Sequence, residues 1–507
     1  MTTTRARLIK LNNNDNVAVA SSEISSGAIL TPQSLTALNE IPAGHKIALS
    51  FIPKDQPIIK YNQIIGFANS DITPGSHVHT HNVYVEGFKR DHAISQDLKP
   101  TQLIPIKDIA TFDGIIRPDG RIATRNYIGV LTTVNCSATV AKYIADLFRR
   151  IPEQFPNVDG VVALTHAYGC GMNAKGKGLE LLQNTIAGYA VHPNFAGVLI
   201  VGLGCETNQI DYLLEGTSLT LSETVRALTI QESGGTSATI KAGESQIFEM
   251  LEIANDTKRV PVPASHLILG LECGGSDAYS GISANPALGK ASDLLIQNGG
   301  TSILGETPEI YGAEHLLTRR AADMNVGKKL LDFVHWWEDY TSRNGGEMDN
   351  NPSPGNKDGG LTTIYEKSLG AVAKGGTSNL VDVLDYAEPV KKSGFNFMNT
   401  PGYDPVSVTG MVAGGANIVC FTTGRGSVFG CKPVPSLKLA TNSKMYESMK
   451  DDMDINLGTI LEGESIEDAG ERLFNLILST ASGKATKSEE LGFGDEEFTP
   501  WQLGAVM

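Results

Sequence analysis

Ile128-Gly129-Val130-Leu131-Thr132-Thr133-Val134-Asn135-Cys136-Ser137 is an apolar, β-branched run that ends in small polar residues. Such a run is typical of a buried strand. After Ser137 the apolar residues recur at helical spacing, so we expect Ser137 to cap a helix. Further apolar runs stand at residues 161–164 and 198–201. This alternation of strands and helices predicts βαβ units and a mainly parallel sheet.

The segments on either side of this region differ from it. The first 95 residues hold short apolar runs separated by turns rich in Pro and Gly, which predict a small all-β module. A second α/β region begins with the strand-like run 267–269 and includes a long helix predicted over residues 313–340. The predicted architecture is therefore multidomain α+β, with an all-β domain at 1–95, a linker at 96–110, and α/β domains at 111–258 and 259–507.

The overall charge limits the partners. The 507 residues carry 41 basic and 56 acidic groups, a formal net charge of −15, which disfavours binding to nucleic acid or to anionic membranes. Met1–Lys10 lacks the apolar core of a signal peptide, and no apolar run approaches the ~18 residues of a membrane span. We expect a cytoplasmic protein without nucleic-acid or membrane partners, and a homo-oligomer, in its simplest form a dimer.

Four of the six cysteines follow predicted strands directly: Cys136, Cys170, Cys205 and Cys273. In open α/β sheets the carboxyl ends of the strands form the ligand site, where loop amides and helix N-termini meet. Each cysteine alone is equally compatible with a small buried apolar side chain. The shared position of all four argues against coincidence for the set. The absence of a CxxC spacing argues against a zinc ribbon, whereas three or four cysteines from different loops could hold iron.

Three histidines alternate along His77-Val78-His79-Thr80-His81. If this segment is a strand, its period of two places the three imidazoles on one face, where they could bind a divalent cation. The alternative is an exposed polar face. His45, in the turn Pro42–Lys46, is interpreted as an ordinary turn residue.

Two polar loops could bind an anion. Residues 351–357 place amide and ammonium groups in a Pro-rich loop, and Arg425 stands between two glycines. A guanidinium there could bind a carboxylate with two parallel hydrogen bonds. Both loops are equally compatible with plain solvated connections. The phosphate-binding patterns GxGxxG and GxxxxGK[ST] are absent, so the sequence does not require a nucleotide.

Several motifs, taken together and in order, resemble the altronate and galactarate dehydratase family. They are Phe112-Asp113-Gly114, Arg125-Asn126, His166-Ala167-Tyr168-Gly169-Cys170, Gly202-Leu203-Gly204-Cys205-Glu206, Leu271-Glu272-Cys273-Gly274-Gly275-Ser276-Asp277, Asn351–Lys357 and Thr423-Gly424-Arg425-Gly426. The resemblance implies an N-terminal SAF domain with a β-clip fold and iron-stimulated dehydration of a hexonate or hexarate. The histidine segment 77–82 and the segment Gly312–Leu317 are more similar to altronate dehydratases than to galactarate dehydratases.

The implied reaction takes D-altronate to 2-dehydro-3-deoxy-D-gluconate. Removing the proton beside the carboxylate creates an aci-carboxylate, which a divalent metal and a nearby cation stabilise. Fe²⁺ is the expected ion and Mn²⁺ the alternative. The expected metal ligands are His77 and His79, with further ligands drawn from His81, Cys136, Cys170, Cys205 and Cys273. The expected substrate-binding residues are Ser276, Asn356, Lys357 and Arg425. The acid/base candidates, among which the sequence does not choose, are His166, Glu206 and Asp277.

Three alternatives stay open from the sequence. The iron could belong to an Fe–S cluster bound by the four strand-end cysteines. The substrate could be galactarate or another sugar acid, because a few pocket residues set specificity within such families. A sugar-acid binding protein without catalytic activity would carry the same anion-binding loops.

Overall fold

The computed structural model describes residues 7–31, 35–88, 90–151 and 153–505. The outer limits of the predicted first and last domains, at Met1 and Met507, lie outside these residues. None of the described helices is both long and apolar enough to cross a lipid bilayer.

The N-terminal domain consists of short antiparallel strands. They are β1 (Leu8–Ile9), β2 (Val17–Ala20), β3 (Ile29–Leu30), β4 (Leu35–Thr36), β5 (Lys46–Ala48), β6 (Pro57–Lys60), β7 (Gln63–Ala68), β8 (His77–Val78) and β9 (Val83–Tyr84). They form sheets in the orders β1-β2-β5-β8, β6-β7-β9 and β3-β4. Apolar side chains that face inward, such as Val17 and Ile47, are fully buried and hold these short strands together. The predicted all-β domain is confirmed.

The following segment runs along the C-terminal domain to the second domain. Its described residues form one 3-10 helix, Ile106–Asp108. Backbone hydrogen bonds fasten it, from Ser95 N to Thr318 O at 3.0 Å and from Ile104 N to Gln297 O at 2.8 Å. The segment is therefore held by the C-terminal domain along its length.

The second domain is an α/β unit, and a small antiparallel sheet lies at its base. Its elements are β10 (Thr111–Ile116), β11 (Ile122–Ala123), β12 (Tyr127–Thr132), α1 (Ala138–Asp146), β13 (Gly160–Leu164), α2 (Lys177–Ala190), β14 (Phe195–Gly202), α3 (Ile210–Gly216), β15 (Val225–Thr229), α4 (Thr236–Asn255) and β16 (Arg259–Pro263). The parallel sheet has the order β13-β12-β14-β15, and the antiparallel sheet has the order β11-β10-β16. The predicted boundary at residue 258 thus lies directly before a strand that pairs with β10.

Ser137 does not cap α1 as expected. It occupies the position before the helix, but its hydroxyl donates to Val134 O at 2.9 Å and to Val201 O at 2.7 Å. The Ser137 hydroxyl therefore connects the start of α1 to the carboxyl ends of two strands, and it does not accept a hydrogen bond from a backbone N–H of the helix.

The C-terminal domain is built on a seven-stranded parallel sheet with the order β19-β20-β18-β17-β21-β22-β23. Its strands are β17 (Ile268–Cys273), β18 (Thr301–Leu304), β19 (Leu380–Leu384), β20 (Gly394–Met398), β21 (Ile418–Thr423), β22 (Ser436–Ala440) and β23 (Ile455–Asn456). Its helices are α5 (Ala284–Gln297), α6 (His315–Thr318), α7 (Met324–Arg343), α8 (Pro354–Asp358), α9 (Ile364–Ala371), α10 (Asp404–Ala413), α11 (Ser443–Ser448), α12 (Ile466–Ala481) and α13 (Lys487–Glu490). The predicted parallel α/β regions are confirmed.

The long helix predicted over residues 313–340 is two helices, α6 and α7. Ala321, between them, forms a bridge with Leu380, and this extended residue interrupts the helical path. Asp323 then caps α7, because its side chain accepts hydrogen bonds from Asn325 N and Val326 N. The remaining short 3-10 helices are Asn135–Ser137, Ala264–His266, Thr307–Ile310, Met348–Asn350, Val372–Gly375 and Gly458–Glu462.

Candidate metal and carboxylate site

Three histidines of the N-terminal domain meet at one point, but they are not the three that the sequence indicated. Antiparallel pairing of β5 with β8 sets Lys46 opposite Val78. One residue further out, this register brings His45 to His79, with 4.6 Å between the ring centroids. The potential ligand atoms of His45, His77 and His79 all lie within 4.8 Å of one another. The interpretation of His45 as an ordinary turn residue is therefore wrong.

His81 does not join this group because the strand ends at Val78. A turn follows, in which His79 N donates to Asn82 Oδ1 at 2.9 Å and Asn82 Nδ2 donates to His77 O at 2.9 Å. The turn leaves His81 exposed beside His77, with 5.3 Å between the ring centroids. The sequence predicts three imidazoles on one face of one strand. The three that cluster come instead from two segments, His45 beside β5 and His77 with His79 at the end of β8.

The three clustered imidazoles have electrostatics that suit metal binding. Burial lowers the pKa of His77 to about 4 and that of His79 to about 3, and it lowers the pKa of His45 as well. All three rings are therefore neutral at pH 7 and keep a lone pair for a cation. The Nδ1 atom of His79 is buried and has no hydrogen-bond partner among the described residues. His45 Nε2 donates to the carbonyl oxygen of Asp358 at 3.2 Å, which leaves His45 Nδ1 facing His77 Nε2 at 3.0 Å.

Loops at the carboxyl end of the C-terminal sheet cover the histidines. Gly44 has a φ of +82°, and a Cβ there would lie 3.3 Å from Gly359 O, so the two backbones approach closely. Gly359 O in turn accepts a hydrogen bond from Ala278 N at 2.9 Å. The loop after β17, the loop after α8 and the turn that precedes His45 therefore form one surface.

Asp277 joins this surface to the loop after β21. Its Oδ1 accepts from Ser280 N at 2.9 Å, and its Oδ2 accepts from Asn442 Nδ2 at 3.1 Å. Asn442 Nδ2 also lies 3.2 Å from Gly424 O, and Thr441 Oγ1 lies 3.0 Å from Asp277 Oδ1. Burial raises the pKa of this carboxyl, while the hydrogen bonds oppose the shift. Because both of its oxygens already accept hydrogen bonds from neighbouring loops, Asp277 fixes the shape of the surface.

The expected substrate-binding residues lie on these same loops. Arg425 is exposed, and its backbone N donates to Gly275 O at 2.9 Å. Lys357 is half-buried in α8. Among the described residues no carboxylate lies within ion-pair distance of either cation, although the charge of Lys357 opposes the rise that burial causes in the pKa of Asp349. Asn356 instead positions a loop, since its Nδ2 donates to the backbone oxygen of Ser276 at 2.9 Å.

A buried ionic triad lies directly beneath the histidines. Glu366 accepts hydrogen bonds from Lys46 Nζ and from Lys60 Nζ, each at 2.8 Å. The three side chains are 0–1% exposed. Lys46 Nζ also donates to Gly360 O at 2.7 Å. The triad thereby fastens the N-terminal domain to the loop that covers His45.

The other two acid/base candidates belong to the second domain and support its loops. His166 Nε2 donates to Thr132 O at 2.9 Å, and Nδ1 accepts from Tyr168 N at 3.1 Å. Burial lowers its pKa to about 4. Glu206 accepts from Thr133 Oγ1 at 2.6 Å and from Gly204 N at 2.6 Å. Of the three predicted acid/base residues, the structure therefore brings only Asp277 to the histidine surface.

Cys273 does not share a site with the other three strand-end cysteines. Its Sγ lies 3.4 Å from Glu306 Oε2 and 3.4 Å from Glu309 Oε2. Lys374 donates to Glu306 at 2.6 Å, and Lys367 donates to Glu309 at 2.6 Å. Burial raises the pKa of Cys273, so the thiol stays protonated. Sequence reasoning missed this buried group because its members come from separate segments without a shared motif.

The chain matches known protein families in the same order as its three domains. Three family models match, namely the altronate/galactarate dehydratase SAF domain over residues 6–86, the D-galactarate dehydratase/altronate hydrolase second domain over 114–255, and the D-galactarate/altronate dehydratase C-terminal domain over 264–506. Galactarate dehydratase (L-threo-forming) of Escherichia coli K12 is 38% identical over 97% of this chain and 96% of its own length. The altronate dehydratases of Bacillus subtilis 168 and Escherichia coli K12 are each 36% identical, over 96% of this chain and 97% of their own lengths.

Proposed function

Because this chain belongs to the galactarate and altronate dehydratase family of lyases, we propose that it dehydrates D-altronate to 2-dehydro-3-deoxy-D-gluconate. One observation supports the proposal above the others. The clustered imidazoles of His45, His77 and His79 lie against the C-terminal domain, where His45 bonds to Asp358 O beside Lys357. The loop of Arg425 is joined to the same surface through Asp277 and Asn442. This is the pairing of metal ligands and anion-binding groups that the reaction requires.

His45, His77 and His79 would hold the metal. Three neutral nitrogen donors, one of them buried without a hydrogen-bond partner among the described residues, fit a divalent first-row ion. We propose Fe²⁺, with Mn²⁺ as the alternative. When bound, such an ion supplies Lewis acidity that stabilises negative charge on the substrate. The hydrogen bond from His45 Nε2 to Asp358 O orients the ring for this role.

Arg425 and Lys357 would bind the substrate carboxylate. The carboxylate gains negative charge as the neighbouring proton leaves, so a cation there stabilises the transition state more than the ground state. Asp277 holds the loops of both cations, through Asn442 on one side and Ala278 on the other. We therefore assign Asp277, with Ser276 and Asn356, to positioning of the binding loops.

The choice of altronate rests on sequence similarity in the segments 77–82 and 312–317. Galactarate is the second candidate, because galactarate dehydratase of Escherichia coli is 38% identical over nearly the whole chain. The two substrates share the 2,3-dihydroxy carboxylate that the proposed site would bind, and they differ at the far end of the molecule.

A substrate panel tests the proposal. The protein is freed of metal with a chelator, supplied anaerobically with Fe²⁺, and offered D-altronate, galactarate and other hexonates while 2-keto-3-deoxy acid is measured. We expect metal-dependent turnover of altronate. Turnover of galactarate alone would favour the second candidate. Thermal stabilisation by a sugar acid without any product would identify a binding protein and contradict the enzyme.

Two further properties belong to this proposal. The six free cysteines, three of them exposed, suit a reducing compartment such as the cytoplasm. A homodimer remains the expected assembly, which the molar mass from sedimentation equilibrium tests.

A further inference from the structure

Cys136, Cys170 and Cys205 follow the carboxyl ends of three neighbouring strands, at nearly the same level of the sheet. In the second domain β12 lies between β13 and β14, and Leu131, Leu164 and Ile200 pair in one row. The cysteines follow that row by five, six and five residues, as the numbering shows. All three strands are parallel, so the three cysteines lie at the same edge of the sheet.

Hydrogen bonds draw the three cysteine loops together. Asn135, next to Cys136, donates its N–H to Tyr168 O at 2.9 Å, and Asn208 N donates to Gly169 O at 3.0 Å. Asn208 Nδ2 also donates to Thr133 O at 3.1 Å. Each loop is therefore within one hydrogen bond of a neighbouring loop.

Gly169 shows how closely the loops are packed. Its φ is +99°, and a Cβ there would lie 2.1 Å from Thr133 O. A side chain would push the loop of Cys170 away from the loop of Cys136. The glycine permits a spacing between the two thiol loops that no other residue would allow.

Exposure separates these three cysteines from the rest. Cys136, Cys170 and Cys205 are exposed, whereas Cys273, Cys420 and Cys431 are buried. An exposed thiol gains no burial energy, so the structural explanation that holds for the buried cysteines does not apply to these three. Three exposed thiols at one sheet edge therefore call for an explanation other than packing.

We propose that Cys136, Cys170 and Cys205 bind a [4Fe–4S] cluster through three thiolates. Thiolates on a single zinc ion lie at most about 4.6 Å apart, because each Zn–S bond is about 2.3 Å long. The groups of described residues whose ligand atoms all lie within 4.8 Å do not include these thiols. In a cluster each cysteine binds a different iron, so wider spacing is what the cofactor requires.

The same geometry accounts for His166 and Glu206. His166 bonds to Thr132 O and Tyr168 N, and Glu206 bonds to Thr133 Oγ1 and Gly204 N, so both residues brace the loops that carry the thiols. Gln231 Nε2 donates to Cys205 Sγ at 3.4 Å, a contact that stabilises negative charge on sulfur. Three thiolate ligands would leave one iron of the cluster open to a non-protein ligand.

Anaerobic purification and reconstitution test the cluster. The full chain is incubated with ferric iron, sulfide and a thiol reductant, which supplies the electrons that reduce part of the iron, and each cysteine releases its proton on binding. We expect about four iron atoms and about four sulfides per chain, with the visible absorption of an iron–sulfur cluster. Cys136→Ala, Cys170→Ala and Cys205→Ala should each lose most of the sulfide, and the triple variant should lose all of it.

Two controls keep this result separate from the proposed histidine site. Cys431→Ala, which removes a buried thiol of the C-terminal domain, should retain full iron and sulfide. His79→Ala should also retain the sulfide and the absorption while losing the ion of the histidine site. Wild-type protein without labile sulfide, or a triple variant that binds as much sulfide as Cys431→Ala, would overturn the cluster. So would a single zinc ion that is lost in the triple variant. None of these outcomes depends on which sugar acid is dehydrated.

Discussion

Replacing Glu366 by Gln tests whether the buried triad holds the N-terminal domain in place. In the native protein one carboxylate serves two ammonium groups, with Lys46 at Oε2 and Lys60 at Oε1, both at 2.8 Å. Glutamine keeps one acceptor oxygen, so one lysine retains a hydrogen bond. The other lysine meets the protons of the amide group, and both lose their counter-charge inside a dry interface.

The burial of the triad sets how much stability Glu366→Gln should lose. The lysines are 0% and 1% exposed, so water cannot replace the missing charge. Removing one partner of a buried ion pair costs about 3 to 5 kcal/mol, because the remaining charge is left uncompensated. We expect Glu366→Gln to lower the free energy of unfolding by this amount. Replacing all three residues with apolar ones, Lys46→Met, Glu366→Met and Lys60→Met, should recover most of the loss.

Urea unfolding of wild type and Glu366→Gln provides the measurement, with Asp146→Asn as a matched control. Asp146 pairs with Arg149 at 2.9 Å, but both side chains are more than half exposed, so its loss should matter little. The two lysines hold the pKa of Glu366 far below its usual value of 4.5, although burial alone would raise it. Such a group stabilises the fold above pH 4.5, and its contribution is lost as pH falls through the lowered pKa. The difference between wild type and variant should therefore shrink as the pH falls below about 4.5.

Equal stability of Glu366→Gln and Asp146→Asn at pH 7 would refute this reasoning. It would mean that water or a rearrangement of the lysines compensates for the missing carboxylate. A stability difference that grew as the pH fell below 4.5 would contradict the assigned charge state of Glu366.

Three further predictions concern the site and its loops. His79→Ala should lower the affinity for Fe²⁺ roughly 100-fold or more in equilibrium dialysis, whereas His81→Ala should retain it, and equal affinities would contradict the ligand assignment. Arg425→Lys should reduce kcat/KM on altronate roughly ten- to hundredfold, with part of the loss in kcat, because one charge-assisted hydrogen bond is lost; wild-type kinetics would make Lys357 the preferred carboxylate ligand. Gly169→Ala should destabilise the protein by more than about 1 kcal/mol in urea unfolding. Gly120→Ala, at a similar positive φ but with open space around it, separates backbone strain from the clash, and equal losses would exclude the clash.

The sequence predicts the parallel sheets because buried parallel strands read as unbroken apolar runs. The residues that follow those runs, such as Asn135-Cys136, Ser276-Asp277 and Arg425, do lie at the carboxyl ends of strands. Topology makes this inference reliable, since parallel strands end at one edge. The roles of the residues are harder to predict, because whether a side chain faces solvent or braces a loop depends on neighbours that are distant in sequence. His166 and Glu206 are two such cases.

The histidine group likewise depends on a contact between residues that are distant in sequence. The alternation of His77, His79 and His81 predicts a strand, but Asn82 closes a turn that ends the strand at Val78. The partner for His79 is His45, which directly precedes another strand and lies 34 residues earlier in the numbering. Only the β5–β8 register reveals it, and register in short strands depends on packing against the rest of the fold.

His45 and Lys46 connect the proposed metal site with the buried ionic triad. His45 supplies an imidazole to the proposed metal site, and the next residue, Lys46, is buried between Glu366 and Gly360 O of the C-terminal domain. Apolar side chains at this interface could pack in several strand registers. The ammonium group of Lys46 can donate to both the Glu366 carboxylate and Gly360 O in only one register. The triad therefore fixes the orientation of β5, and with it the distance from His45 to His77 on one side and to Asp358 on the other. Buried charges that add little net stability can in this way specify a single docking geometry, and the metal affinity of the histidines should depend on that geometry.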